Sequence, residues 1–100
     1  MCSFIIDKIT AIDVENRIVR ISVVNKQYFP GLNIEIDTKY KIAVKIGDEI
    51  YDAIYTARKG RSGIIRLGPA IYVDKLRMQP YDRLLVKVLE TDKLYEINKL

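Results

Sequence analysis

The hydrophobic positions along this chain come in short runs with a period of two, broken by polar or glycine-containing turns, which is the pattern of β-strands. Phe4 to Ile9 reads as a first strand, followed by a polar turn or arm over Thr10–Asn16. Arg17 to Val24 reads as a second strand, β-branched apart from the interruptions at Arg17 and Arg20. Asn25–Gly31 is a connector with room for one helical turn, stopped by Pro30-Gly31. Asn33 to Ile46 alternates strictly through Ile34, Ile36, Ile42, Val44 and Ile46, and Gly47-Asp48 then predicts a tight hairpin. Ile50 to Ala57 returns with Tyr51, Ala53, Tyr55 and Ala57 on one face and Ile50 and Ile54 on the other. Ile64 to Leu67 is a further short strand. Gly68-Pro69 opens a short helix over Ala70–Leu76, with Ile71, Val73 and Leu76 as its apolar positions. After a turn over Arg77–Asp82, Arg83–Leu89 and Leu94–Ile97 form a last hairpin around Thr91-Asp92-Lys93. The strands are too evenly apolar for a sheet with one wet face. The expected fold is therefore mainly β, with about seven short strands and one or two short helices at the ends, which favours a barrel or pseudobarrel over a sandwich.

Composition narrows the reading. One hundred residues make one domain, spanning 1–100, with a modest single core. With 49% hydrophobic and 30% charged residues, the chain has the make-up of an ordinary globule. The net charge is +4, and its location matters more than its size. No acid occurs from Ala53 through Val73, while Arg58, Lys59, Arg61 and Arg66 all lie inside that stretch. Residues 58–68 form a basic segment punctuated by Gly60, Gly63 and Gly68 between two strand-like runs. A hairpin tip of this kind suits an anion, of which nucleic-acid phosphate is the commonest large example, although short basic loops also serve solubility.

Candidate chemistry is sparse. The chain has no histidine, which removes the commonest general base and metal ligand, and Cys2 is its only cysteine. No intrachain disulfide can form, and a reducing interior is expected. No apolar run reaches membrane-spanning length, and the apolar start at Met1–Ile6 is too short for a signal peptide. Gly60-Arg61-Ser62-Gly63 does not stand between a strand and a long helix, as a nucleotide-binding glycine loop must. No cofactor, metal or small-molecule substrate is indicated. Asp37-Thr38-Lys39 has the Asp-x-Lys spacing of many metal-dependent nucleases, but Glu35 lies two residues before Asp37 on the same strand instead of on a neighbouring one. The tyrosines suit core or rim positions, with Tyr55 also a candidate to stack or bond at a nucleic-acid surface.

Read in order, Phe4, Lys8, Thr10, Asp13-Val14, Arg17 and Val19, then Tyr28-Phe29-Pro30, resemble the opening of the plant transcription-factor B-three DNA-binding domain. Arg61–Gly68, Tyr72–Leu76 and Asp82-Arg83-Leu84 are similar to prokaryotic members of the same pseudobarrel superfamily, including the specificity domains of some restriction endonucleases. The tryptophan typical of the plant domain is missing. The resemblance implies a mainly β, seven-stranded open pseudobarrel with one or two short helices at the ends, a binding module for double-stranded DNA and not an enzyme, that grips the major groove with two arms. A stand-alone regulator and a target-recognition domain both fit it, and the expected location is the cytoplasm of a prokaryote, at the nucleoid. On this basis the N-arm, between the first two strands, corresponds to Lys8, Thr10, Asp13, Asn16 and Arg17. The C-arm, between the fourth and fifth strands, corresponds to Arg58, Lys59, Arg61 and Ser62.

Physical roles follow from residue type. Arg58 and Arg61 suit bidentate bonds to guanine edges, and Asn16 an adenine or a phosphate. Lys8, Lys59 and Arg66 suit phosphates, and Thr10 and Ser62 can donate to phosphate oxygens. Structural roles compete for some of these residues. Asp13 suits a turn or helix cap, Arg17 an ion pair with Asp13 or Glu15, and Arg66 an outward pair on its strand. Two other functions stay open at this level: a small nuclease using Asp37 and Lys39, and a β-barrel whose tyrosine-rich face meets a protein partner.

Overall fold

The alternation from residue 38 to 57 forms the longest hairpin of the molecule, β3 (Thr38–Ile46) and β4 (Glu49–Ala57), turning at Gly47 with φ 61°. The computed structural model describes residues 2–100. The other strands are β1 (Cys2–Ile6), β2 (Ile18–Ile21), β5 (Gly63–Arg66), β6 (Leu84–Glu90) and β7 (Leu94–Lys99). They form one seven-stranded sheet in the order β1-β6-β7-β3-β4-β5-β2. Every pairing is antiparallel except β3 with β7. The sheet curls into a barrel that is not sealed: β1 and β2 are its two edges, and the chain crosses that seam through α1 (Ala11–Asn16). This is the expected mainly β, seven-stranded open barrel with few short helices.

The inward positions make a continuous core. Val19, Ile21, Val44, Tyr55, Ala57, Ile65, Leu84, Val86, Tyr95 and Ile97 are fully enclosed. Phe29 fills the centre, stacked between Tyr95 at 4.2 Å and Tyr55 at 4.7 Å between ring centroids. Ile50 and Ile54 point outward, as their strand parity requires.

The sequence reading needs correction where tertiary partners are missing. β1 ends at Ile6, because Ile9 leaves the sheet to bond a distant turn: its N–H donates to Asp82 O at 3.0 Å, and its carbonyl accepts from Tyr81 N at 2.5 Å. β2 stops at Ile21, opposite Gly63, the first residue of β5. With no partner beyond, Val23–Tyr28 winds into a 3-10 helix that leaves Val23 and Val24 exposed. The alternation at Ile34 and Ile36 forms no strand, since no strand pairs with it, and Ile36 is exposed. Ala70–Lys75 is a π-helix, in which Leu76 N bonds Ile71 O. Its wider turn buries Ile71, Tyr72 and Leu76 and turns Val73 outward. Tyr55 is fully enclosed and faces no surface. Tyr72 and Tyr95 are also buried, whereas Tyr28, Tyr40 and Tyr51 are half-buried and Tyr81 is exposed.

Gly63 is required by packing. A Cβ there would fall on the Tyr55 hydroxyl, with the ring carbon Cζ at 2.5 Å. That hydroxyl is buried and has no hydrogen-bond partner. Gly63→Ala is expected to cost about 1–3 kcal/mol in chemical denaturation. Tyr55→Phe alone is expected to be neutral or mildly stabilising, because it removes an unsatisfied polar group, and to recover part of the loss in the double variant.

Burial also sets the alkaline limit of the fold. It pushes the phenols of Tyr55 and Tyr72 from 10.0 up to about 12, with Arg58 opposing the rise at Tyr55 and Asp13 adding to it at Tyr72. These raised values favour the neutral phenol in the folded chain. The stability they contribute is complete below pH 10.0 and is lost as pH rises through about 12. A phenolate absorbance titration is expected to show these rings ionising late, together with loss of the folded circular-dichroism signal.

Candidate nucleic-acid interface

The N-arm runs from Asp7 to Arg17. Thr10 caps α1: its Oγ1 accepts from Asp13 N at 3.1 Å. The helix ends at Arg17, which sits in the left-handed region at φ 54° and donates its N–H to the carbonyls of Asp13 and Val14. A non-glycine residue there costs roughly 1–2 kcal/mol, offset by the closed helix end. Asp13 is buried, and its carboxylate accepts from Arg20 Nε at 2.8 Å. The pairing of Asp13 or Glu15 with Arg17 considered from the sequence does not form: Arg20, outward on β2, takes Asp13 instead. Only the Nε donor of Arg20 is engaged, so its two terminal nitrogens remain available. Asn16 is exposed and donates its side-chain amide to Ile12 O at 3.1 Å. Lys8 places its ammonium 4.8 Å above the exposed ring of Tyr81.

The C-arm is the five-residue loop between β4 and β5, folded around two buried cations. Arg58 turns inward, with Nε donating to Ser62 O at 2.8 Å and Nη2 to Ser62 Oγ at 3.0 Å. Lys26, in the 3-10 helix, donates its ammonium to Arg58 O at 2.5 Å and Arg61 O at 2.7 Å. Burial first, then the neighbouring cations Arg61 and Arg20, pull the Arg58 guanidinium below its ordinary value. The expectation of Arg58 as a guanine reader does not suit this geometry, since its donors close onto its own loop. Lys59 bonds Glu35 at 2.9 Å, and its N–H reaches Asp37 Oδ1 at 3.3 Å. The Lys59–Glu35 pair is exposed on both sides and contributes little stability. Arg61 is exposed and forms no ion pair among the described residues.

The two arms meet across the unsealed seam. Ile5 and Ile6 of β1, Asp7, Lys8, Thr10 and Asp13 of the N-arm, Arg20 of β2, Ser22, Asn25, and Ser62 of the C-arm line a cleft of about 440 Å³. Hydrogen-bond donors dominate its polar lining. Its two carboxylates already have partners, Asp13 on Arg20 and Asp7 on Arg83 at 3.7 Å. Lys8, Thr10 and Ser62 are thus brought together. Lys59 and Arg61 stand on the C-arm outside the cleft lining. Arg17 and Arg66 line a different pocket, with Lys41 and Asp52.

Sequence reasoning missed Arg20, Ser22, Asn25 and Lys26. Arg20 carried a signal, as a charge interrupting a β-branched strand. Lys26 carried none, because its partners are backbone carbonyls 32 and 35 positions away. The nuclease expectation finds no support in this geometry. Asp37 caps the C-arm backbone, and no three His, Cys, Asp or Glu side chains gather as a metal site among the described residues. Among the described residues, no helix is long and apolar enough to cross a membrane. Lys26→Met, which keeps the length of the side chain and removes its donors, is expected to cost about 1–3 kcal/mol and to speed amide exchange selectively over residues 58–62.

No family model matches the chain, and no curated protein does. Among solved structures it is similar to the Arabidopsis FUS3–DNA complex, with a TM-score of 0.66 and 15% identity, over 96% of this chain and 93% of that one. At that identity the likeness is one of fold. This chain has the pseudobarrel architecture that its sequence resemblance implies.

Proposed function

We propose that the chain binds double-stranded DNA across the unsealed seam, with the N-arm and C-arm entering the major groove from its two sides. The observation that carries this reading is the convergence of Lys8, Thr10, Arg20 and Ser62, from both arms and β2, on one donor-lined cleft. The acid-free stretch around the C-arm adds a local positive field. The structural neighbour, itself a complex with DNA, supports the same assignment by fold.

Each residue takes a role from its state in the fold. Arg61, exposed and free of ion pairs, is the first candidate for a bidentate bond to guanine O6 and N7. Arg20, held by Asp13 through one nitrogen, presents a pre-oriented pair of donors. Lys8 and Lys59 suit phosphates, and the hydroxyls of Thr10, Ser22 and Ser62 can donate to phosphate oxygens. Asn16 lies at the exposed end of α1 and suits a base edge or a phosphate. Arg58 and Lys26 act on DNA indirectly, by holding the loop in shape. A stand-alone regulator and a target-recognition domain would both use this unit in the same way.

A selection from randomised duplexes at physiological salt tests the proposal. A preferred motif is expected. On that motif, Arg61→Ala is expected to lose about 1–3 kcal/mol and to flatten the preference. Lys59→Ala is expected to weaken all sequences alike and to reduce the salt slope by about one. Unchanged affinity in a Lys8/Arg20/Arg61→Ala variant that remains folded would overturn the assignment.

A further inference from the structure

A second concavity lies on the outer face of the sheet, apart from the cleft between the arms. Register aligns Lys41 of β3, Ile54 of β4 and Arg66 of β5 in one row across that face. Arg17 joins them at the end of the row, held there because its carbonyl accepts from Leu67 N at 3.2 Å. The resulting pocket encloses about 330 Å³, within the range of roughly 300–1,000 Å³ typical of small-molecule sites. Ile54 and Pro69 supply the exposed apolar surface, with Ala53 and Leu67 packed beneath it in the core, and the charges stand around them.

The charges are unbalanced in a specific way. The single carboxylate, Asp52, is already held by Lys41 at 3.4 Å. Arg17 and Arg66 form no ion pair among the described residues. The lining therefore combines two unpaired guanidinium groups with an apolar floor, and Ile54 remains 40% exposed over it. A guanidinium fork matches a carboxylate in shape and charge. A duplex would offer its phosphates on a convex polar ribbon and leave Ile54 and Pro69 without a contact. An amino acid would bring an ammonium group that finds no free acid here.

We propose that this pocket binds a small organic carboxylate with an apolar body, its charge between Arg17 and Arg66 and its body against Ile54 and Pro69. The site is independent of the DNA reading, since it shares no lining residue with the cleft between the arms.

The test is an amide-resolved NMR titration of the whole chain with phenylacetate, run beside phenylacetamide and inorganic phosphate. Saturable shifts confined to Ile54, Leu67 and Gly68 are expected with phenylacetate. Affinity should fall roughly tenfold or more for the uncharged amide and in Arg17→Met or Arg66→Met, as the loss of a charge-assisted bidentate bond implies. Ile54→Glu, which sets a carboxylate at the mouth of the pocket, is expected to abolish the shifts while the amide spectrum stays that of a folded chain. The absence of saturable shifts, or equal binding of acid and amide, would overturn the proposal. So would equal binding of bare phosphate, which would mean that the apolar walls are not read. If a DNA duplex shifts these same amides and competes with phenylacetate, the face belongs to nucleic acid and the proposal is wrong.

Discussion

Much of this structure depends on one aromatic ring. Phe29 lies between Tyr55 of β4 and Tyr95 of β7, stacked on both, with Phe4 of β1 against its edge at 6.3 Å. Each such contact adds about 0.5–1.5 kcal/mol beyond simple burial, and together they tie strands from three parts of the chain. The ring also fixes the connector that carries it. Phe29 N bonds Lys26 O at 3.0 Å, and Tyr28 O accepts from both Asp92 N and the Tyr95 hydroxyl. Lys26 is thereby set beneath the C-arm, where its ammonium gathers two loop carbonyls. A packing contact at the centre of the barrel thus determines the shape of a loop at its rim.

The basic loop illustrates how a fold divides like charges among different tasks. Arg58 and Lys26 are buried and satisfy backbone and side-chain acceptors, which is the condition for burying a cation at all. Lys59 leans on an exposed acid, and Arg61 faces solvent unpaired. On the other arm, a buried carboxylate holds Arg20 by one nitrogen. Net charge draws an anion toward such a surface, but the free and oriented donors decide what can be recognised once it arrives.

The open seam is the second organising constraint. β1 and β2 are edge strands, and an unprotected edge invites pairing with another chain. Here the capped helix of the N-arm crosses the gap, and Tyr72 fastens it from below, its hydroxyl donating to Ile18 O at 2.9 Å with Asp13 O as the alternative acceptor at 3.3 Å. The gap that prevents barrel closure becomes the place where polar side chains from both ends of the sheet can meet.

The sequence by itself determined the number, order and approximate bounds of the strands, the Gly47 hairpin, and the position of both arms between strands. These follow from local periodicity and turn chemistry, which act over a few residues. It also marked the basic loop and set Ile50 and Ile54 on one face of their strand, because strand parity is local, while which face points outward came with the tertiary structure. Only the tertiary structure decided where strands stop, since an extended run such as Ile34–Ile36 or Val23-Val24 stays a strand only where a neighbour can bond it. Tertiary structure also decided which cations are structural and which are free. Arg58 and Arg61 look alike in sequence, and what separates them is Ser62, whose carbonyl and hydroxyl take the Arg58 guanidinium and leave that of Arg61 facing solvent. Burial and pairing depend on contacts made through space, and those contacts exist only after the sheet has curled.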